Sequence, residues 1–185
     1  MFESDLKVEY SLNDYPVEYM QVGEGFTAID NTVKRMIQAI NESAKNIRIR
    51  SAASNIIKDI PEKDKYGEVD AIYQWLQNHT HYVKDIDGEE MLQSPLVALD
   101  MIDKGFAFQG DCDCLTTLLL SLLKSIGFAC AIRIAGYKND GKYTHVYGLV
   151  YMSDFGEWLP IDPIKRGVMV GWEESSLLRN KDYQI

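Results

Sequence analysis

The stretch Gly110–Leu120, GDCDCLTTLLL, sets two cysteines and two aspartates directly ahead of a leucine-rich run. Such a set can hold a metal, form a redox dithiol or raise a thiol nucleophile. Asp111 stands where a helix N-cap belongs, which puts Cys112 in the first turn of the helix that follows. There the unpaired backbone N–H groups and the helix dipole favour a thiolate. The carboxylates of Asp111 and Asp113 oppose it, because neighbouring negative charge raises a thiol pKa. A nucleophile at Cys112 therefore needs an imidazole to hold the ion pair, and the chain has three histidines: His79, His81 and His145.

His145 is the second residue of the stretch THVYGLVYM, whose alternation predicts a strand with His145, Tyr147, Leu149 and Tyr151 on one face. The following stretch, WLPID, ends on Asp162 just before Pro163 and supplies an acceptor that can orient the ring. In chain order this gives Cys112, His145 and Asp162, a thiol, a base and an orienter from a helix start and two successive strands. Each residue also has a plainer role: cysteine is among the most buried residue types, a strand histidine is commonly a satisfied core group, and aspartate before proline is a turn former. It is their occurrence together, in order, that favours the nucleophilic reading.

The competing chemistries fit less well. Structural zinc prefers cysteines two to four residues apart in two pairs, and Cys112 and Cys114 have no second pair. A redox dithiol also prefers a longer spacing than Cys-x-Cys. His79 and His81 in NHTHY share a face of an extended stretch but lack a third ligand, so a surface role is expected. The acidic run DIDGEE at 85–90 lacks the ligand spacing of an EF-hand loop and is expected to be a solvated loop. No metal and no cofactor are expected. Cys114, Cys130 and Trp75 are assigned to the core, and Tyr82 to the lining of a cleft or to the core.

The elements that must position these groups divide the chain in two. LKVEYSL alternates as an edge strand would. Ile29, Val33, Met36, Ile37 and Ile40 recur at helical spacing from Phe26, and a second helix is expected over Ser43–Ile60, before Pro61 and the charged run EKDKYGE. A third helix is expected over 68–79, a short β-prone piece at 80–83, and a fourth helix at Ser94-Pro95, serine as N-cap and proline in the first turn. After residue 105, Leu115, Leu118, Leu119, Leu122, Leu123 and Ile126 make one broad apolar helix face that stops at Gly127. FACAIRIAGY, THVYGLVYM and WLPID read as three strands joined by the turns KNDGK and SDFGE. The fold class is therefore α+β: a helical N-terminal half, then a nucleophile-bearing helix packed on an antiparallel sheet.

Composition bounds the partners. The net charge of −9 argues against binding nucleic acid or an anionic membrane surface. The start MFESDLKVEY carries acidic groups where a secretory signal carries basic and apolar ones, and three cysteines are an odd number for a disulfide framework. A reduced, cytoplasmic protein is the expectation.

GDC ahead of an apolar helix ending in SIGF, then AGY, THVYGLVY and WLPIDP, resembles the transglutaminase-like superfamily, whose domains share the papain-like cysteine-protease core. Upstream, IYQWLQNHTHYVKD and GEEMLQSPLVAL resemble the bacterial and phage-borne members, so the pattern spans about residues 30–165. The resemblance implies one transglutaminase-like domain over 1–185, with an N-terminal extension at 1–60 and a catalytic core at 66–165. It implies Cys112 as nucleophile, His145 as base and Asp162 as orienter, in acyl transfer on amide or peptide bonds of a protein or peptide substrate. The backbone N–H of Cys112, with Gln109 as an added donor, would form the oxyanion hole. The sequence departs from the pattern at Cys114, where such members usually carry an acid, and more mildly at Thr116, where a smaller residue is common. That departure keeps a second class open: a binding or assembly module, phage-derived, that retained the fold and lost turnover.

Overall fold

The computed structural model describes residues 25–85 and 91–185. The edge strand expected in LKVEYSL and the loop expected over DIDGEE, Asp85 apart, lie outside the described residues.

Among the described residues four helices precede the leucine-rich one. The first, α1, spans Gly25–Ser43. The second, α2, spans Ile47–Ile57, shorter than Ser43–Ile60, because Asn46 accepts the Arg48 N–H at 2.9 Å and sets a new helix start there. The third, α3, spans Lys65–His79 and begins inside the charged run: Asp64 accepts the Gly67 N–H at 2.8 Å, so an acidic residue expected to break helical pattern instead caps the helix. The fourth, α4, spans Pro95–Asp103, with Ser94 as N-cap and proline in its first turn as expected.

The leucine-rich helix, α5, spans Cys112–Ser125. Its apolar surface is broader than one face. Every residue from Asp113 to Leu123 is buried, because α1 to α4 pack on one side and the sheet on the other. Each of its fully buried leucines contributes about 1.5–3 kcal/mol relative to exposure. At its C-terminal end Gly127 has φ +99°, and the Phe128 N–H returns to the Leu123 carbonyl at 3.2 Å.

The main sheet holds β3 (Cys130–Gly136), β4 (His145–Met152), β5 (Glu157–Ile161) and β6 (Arg179–Gln184) in the antiparallel order β5-β4-β3-β6. The α+β fold with a helix on an antiparallel meander is as the sequence predicts; β6 is an addition to it. A small parallel pair, β1 (Thr80–Tyr82) with β2 (Phe108–Gly110), leads directly into α5. Gly148 lets α5 approach β4: a Cβ there would lie 2.7 Å from Leu120 Cδ2. Val146, Val150 and Met152 of β4 join the core under α5, while Tyr147 and Leu149 pack with Ala131 and Ala135 on the other face. Among the described residues no helix is long and apolar enough to cross a membrane.

Candidate active site

Cys112 is the first residue of α5 and is half-buried. Asp111 caps the helix, its Oδ1 accepting the Cys114 N–H at 3.3 Å. The helix reaches the sheet through two residues one turn apart. The Val146 backbone N–H favours the Cys112 thiolate, and the Thr116 hydroxyl donates to the Val146 carbonyl at 3.4 Å. Val146, the residue after His145, thus faces the first two turns of α5. Thr116 is a fastening residue whose role the sequence reading missed; its spacing of four from Cys112 was the available signal.

Strand phase puts His145 on the same side as Tyr147, with ring centroids 5.5 Å apart, at the very start of β4. Its Nε2 lies 2.7 Å from Asp162 Oδ2, and both side chains are at least nine-tenths buried. Asp162 follows β5 directly, and its other oxygen, Oδ1, accepts the Ile164 N–H at 3.2 Å. Turn-forming and imidazole contact, alternatives in the sequence, coexist in one carboxylate: one oxygen closes the turn and the other faces the ring.

The electrostatics of the helix mouth disfavour a lone thiolate. Burial, then the charges of Asp111 and Asp113, push the Cys112 thiol up to about 12; the N–H groups of Val146 and of Cys112 itself offset this only in part. Two tyrosines flank the thiol. Tyr82, at the end of β1 and 47% exposed, and Tyr137, just beyond β3, are both raised first by burial and further by the neighbouring charges, Cys112 among them. Tyr137 also lies 6.3 Å, centroid to centroid, from the His145 ring. At that exposure Tyr82 is not a core residue.

Cys114 and Cys130 are buried core residues, as assigned. Cys114 does more than fill space. Its Sγ donates to the Met91 carbonyl at 3.1 Å and accepts the Gln93 N–H at 3.2 Å, so a neutral thiol ties the helix start to the loop before α4. Burial pushes this thiol well above its ordinary value, and the charge of Asp113 raises it further. Ligand atoms of Asp111, Asp113 and Cys114 lie within 4.8 Å of one another. The Cys114 N–H occupies one oxygen of each aspartate, and the thiol's two bonds use its sulfur, so a cation would have to displace these contacts.

Gln109 lies exposed on β2, three residues before Cys112, and its carbonyl accepts the Gln93 side-chain amide at 3.1 Å. His79 and His81 do not form a pair on one extended stretch. His79 closes α3, stacked on Trp75 at 4.7 Å with Nδ1 2.7 Å from the Trp75 carbonyl, whereas His81 is exposed on β1. His79 thus folds its ring back onto the last turn of α3. Trp75 itself is half-buried against the core.

The profile of the transglutaminase-like superfamily matches residues 50–163, an interval that contains Cys112, His145 and Asp162. The chain belongs to the transglutaminase-like superfamily. Among solved structures, this superfamily member is similar to a candidate cysteine protease from Cytophaga hutchinsonii, with 16% identity and a TM-score of 0.50 over 80% of this chain and 51% of that one. It is similar also to a structure of the Rad4/XPC nucleotide excision repair complex, with 14% identity and a TM-score of 0.50 over 84% of this chain and 46% of that one. Calcium-bound LapG of Legionella pneumophila matches at 17% identity and a TM-score of 0.49, over 78% of this chain and 80% of that one. The chain spans about half the length of the first two. At such identities the likeness is one of fold. No curated protein matches the sequence.

Proposed function

We propose that the protein is a cysteine-dependent acyl-transfer enzyme acting on amide or peptide bonds, with Cys112 as nucleophile, His145 as acid–base and Asp162 as orienter. The observation that carries this reading is the 2.7 Å bond between His145 Nε2 and Asp162 Oδ2, with Cys112 at the start of the helix whose Thr116 bonds the residue after His145. With Nε2 committed to the carboxylate, Nδ1 is the ring atom left to exchange a proton with the thiol. The Cys112 Sγ–H proton passes to Nδ1, and the thiolate attacks the carbonyl carbon. The C–N bond breaks as the imidazolium returns that proton to the leaving amine, leaving a thioester. Water or a second amine, deprotonated by His145, then takes the acyl group and releases the thiol. The Cys112 N–H, with Gln109 beside it, is the donor set for the oxyanion.

The substrate is a protein or peptide. The Rad4 relative takes part in opening a DNA duplex, but a net charge of −9 argues against that partner here, and no membrane role is proposed. Three free thiols among the described residues support a reducing, cytoplasmic setting. IYQWLQNHTHYVKD supports a place among bacterial and phage-borne members, and the whole chain is proposed as one domain with its catalytic core at 66–165.

A second reading, a binding or assembly module without turnover, is favoured by one observation: the Cys112 thiol stands at about 12 on its own surroundings. Alkylation against pH separates the two. The enzyme reading expects Cys112 to alkylate near neutral pH ahead of Cys114 and Cys130, and His145→Gln to move that reaction to strongly alkaline pH. An alkylation profile of Cys112 that is the same with and without the imidazole rejects the enzyme reading in favour of the silent module.

A further inference from the structure

The segment after Asp162 is held by a stripe of polar residues on α3. Tyr66, Tyr73 and Gln77 recur at helical spacing, and each reaches across to a backbone carbonyl. The Tyr66 hydroxyl donates to the Val170 carbonyl at 3.2 Å. The Tyr73 hydroxyl lies 3.0 Å from the Asp162 carbonyl and 2.8 Å from the Lys165 carbonyl. The Gln77 amide donates to the Lys165 carbonyl at 2.5 Å. In the reverse direction the Arg166 guanidinium donates to the carbonyls of Gln77 and Thr80, at the C-terminal end of α3, where a cation is favoured by the helix dipole.

The turn so held carries the carboxylate of the site. Asp162 and Lys165 are its first and last residues, since the Lys165 N–H returns to the Asp162 carbonyl at 3.2 Å. Tyr73 thus bridges the two ends of the turn from a position that is 1% exposed. A carboxylate's aim is set by its backbone: rotating the Asp162–Ile164 unit moves Oδ2 off the His145 nitrogen while leaving the Asx turn through Oδ1 intact. Tyr73 is the side chain that resists this rotation at the Asp162 end. Tyr66 holds the same segment eight residues further on, away from the carboxylate.

We propose that Tyr73 is a positioning residue of the Cys112–His145–Asp162 site, its hydroxyl fixing the Asp162 turn so that Oδ2 faces His145 Nε2. This rests on the enzyme reading above. It assigns part of the site to the helical half of the molecule, although Tyr73 touches none of the reacting groups.

The test is Cys112 alkylation against pH, with melting temperature, in Tyr73→Phe, Tyr66→Phe and His145→Gln. Tyr73→Phe keeps the ring and deletes the hydroxyl. It is expected to slow alkylation near neutral pH by about tenfold and to displace the profile toward that of His145→Gln. Tyr66→Phe is expected to lower the melting temperature comparably and leave the profile in place. If Tyr73→Phe does not fold, Gln77→Met, which deletes the neighbouring bond to the Lys165 carbonyl, serves in its place, with the same displacement expected. In the Asp162→Asn background Tyr73→Phe should add little, because the contact it positions is already altered. A Tyr73→Phe profile at wild type with a lowered melting temperature overturns the proposal and leaves the enzyme reading standing. A His145→Gln profile at wild type overturns the enzyme reading itself, and the proposal with it.

Discussion

The two sides of the site face opposite electrostatic problems. At the mouth of α5, Cys112 is flanked in sequence by Asp111 and Asp113, and with its burial these push its thiol up to about 12. At the end of the sheet, His145 Nε2 lies 2.7 Å from Asp162 Oδ2. A thiolate that the helix start cannot hold alone becomes tenable only when an imidazolium stands by it, and an imidazolium is favoured only where a carboxylate supports it. On the proposed reading neither side suffices: the helix would contribute the nucleophile and backbone donors, the sheet the compensating charge. On that reading reactivity would depend on how firmly α5 is fastened to β4 at Val146, and on how firmly Asp162 is aimed.

Removing one group from each side gives the largest expected contrast. Cys112→Ala removes the covalent route and should abolish acyl transfer. Asp162→Asn keeps an atom that can hold the ring, in the wrong tautomer, and should cost less, though up to about 10⁴-fold where that tautomer is trapped, as in serine proteases. Asp162→Asn should also lower the melting temperature modestly, because Oδ1 closes the turn at Ile164. Steady-state rates and thermal melts of both variants check this. An Asp162→Asn enzyme as fast as wild type, with only its melting temperature reduced, would leave Asp162 as a turn residue alone.

How much of this was legible beforehand follows from what each part is made of. The helix start, the strand phase of His145 and the position of Asp162 could be read because each depends on local pattern: a cap, a period of two, an acid before proline. β6 could not. RNKDYQ carries almost no apolar alternation, and it is held instead by a cross-strand pair: Arg133 stands opposite Asp182 and binds it at 2.7 and 2.6 Å. The tie that Cys114 makes was not legible either, because the bonds that satisfy its sulfur go to Met91 and Gln93, which are remote in sequence. The α3 stripe escaped for a similar reason. Tyrosines at helical spacing look like core residues until the carbonyls they meet, about 90 residues away in sequence, are known.

The thiols make a prediction of intermediate size about the whole fold. Cysteine's ordinary value is 9.0, and in the folded protein burial pushes Cys130 up to about 12 and Cys114 well above its ordinary value. Above pH 9 the unfolded chain therefore binds fewer protons than the folded one, so stability falls as pH rises. The stabilisation is complete below pH 9 and is lost progressively toward pH 12. Tyr73 and Tyr137, raised from 10.0 to about 12, act in the same direction. Under reducing conditions the melting temperature should decline by several degrees between pH 8 and pH 10.5, a range set by these shifts. Cys130→Ala should make the decline shallower. A melting temperature that is flat over that range would contradict the burial-driven shifts on the helix side of the site.

The smallest effect isolates the helix mouth from the sheet. In a His145→Gln background the imidazole no longer compensates the thiolate, so alkylation of Cys112 reports only the field that α5 and its flanks supply. Asp113→Asn removes one of the two carboxylate charges that raise the thiol. It also retains a side-chain oxygen able to accept the Cys114 N–H, which Asp113 Oδ1 now accepts at 2.6 Å. Asp111→Asn would be a less clean change, since Asp111 also caps the helix. Burial is the largest cause of the raised thiol and is untouched by the substitution, so the gain should be limited: about threefold faster alkylation at a fixed pH below 10, with the midpoint shifted downward. If Asp113→Asn leaves the rate unchanged while the protein stays folded, the charges at the helix mouth do not act on Cys112. The contrast between the two sides would then come from burial alone.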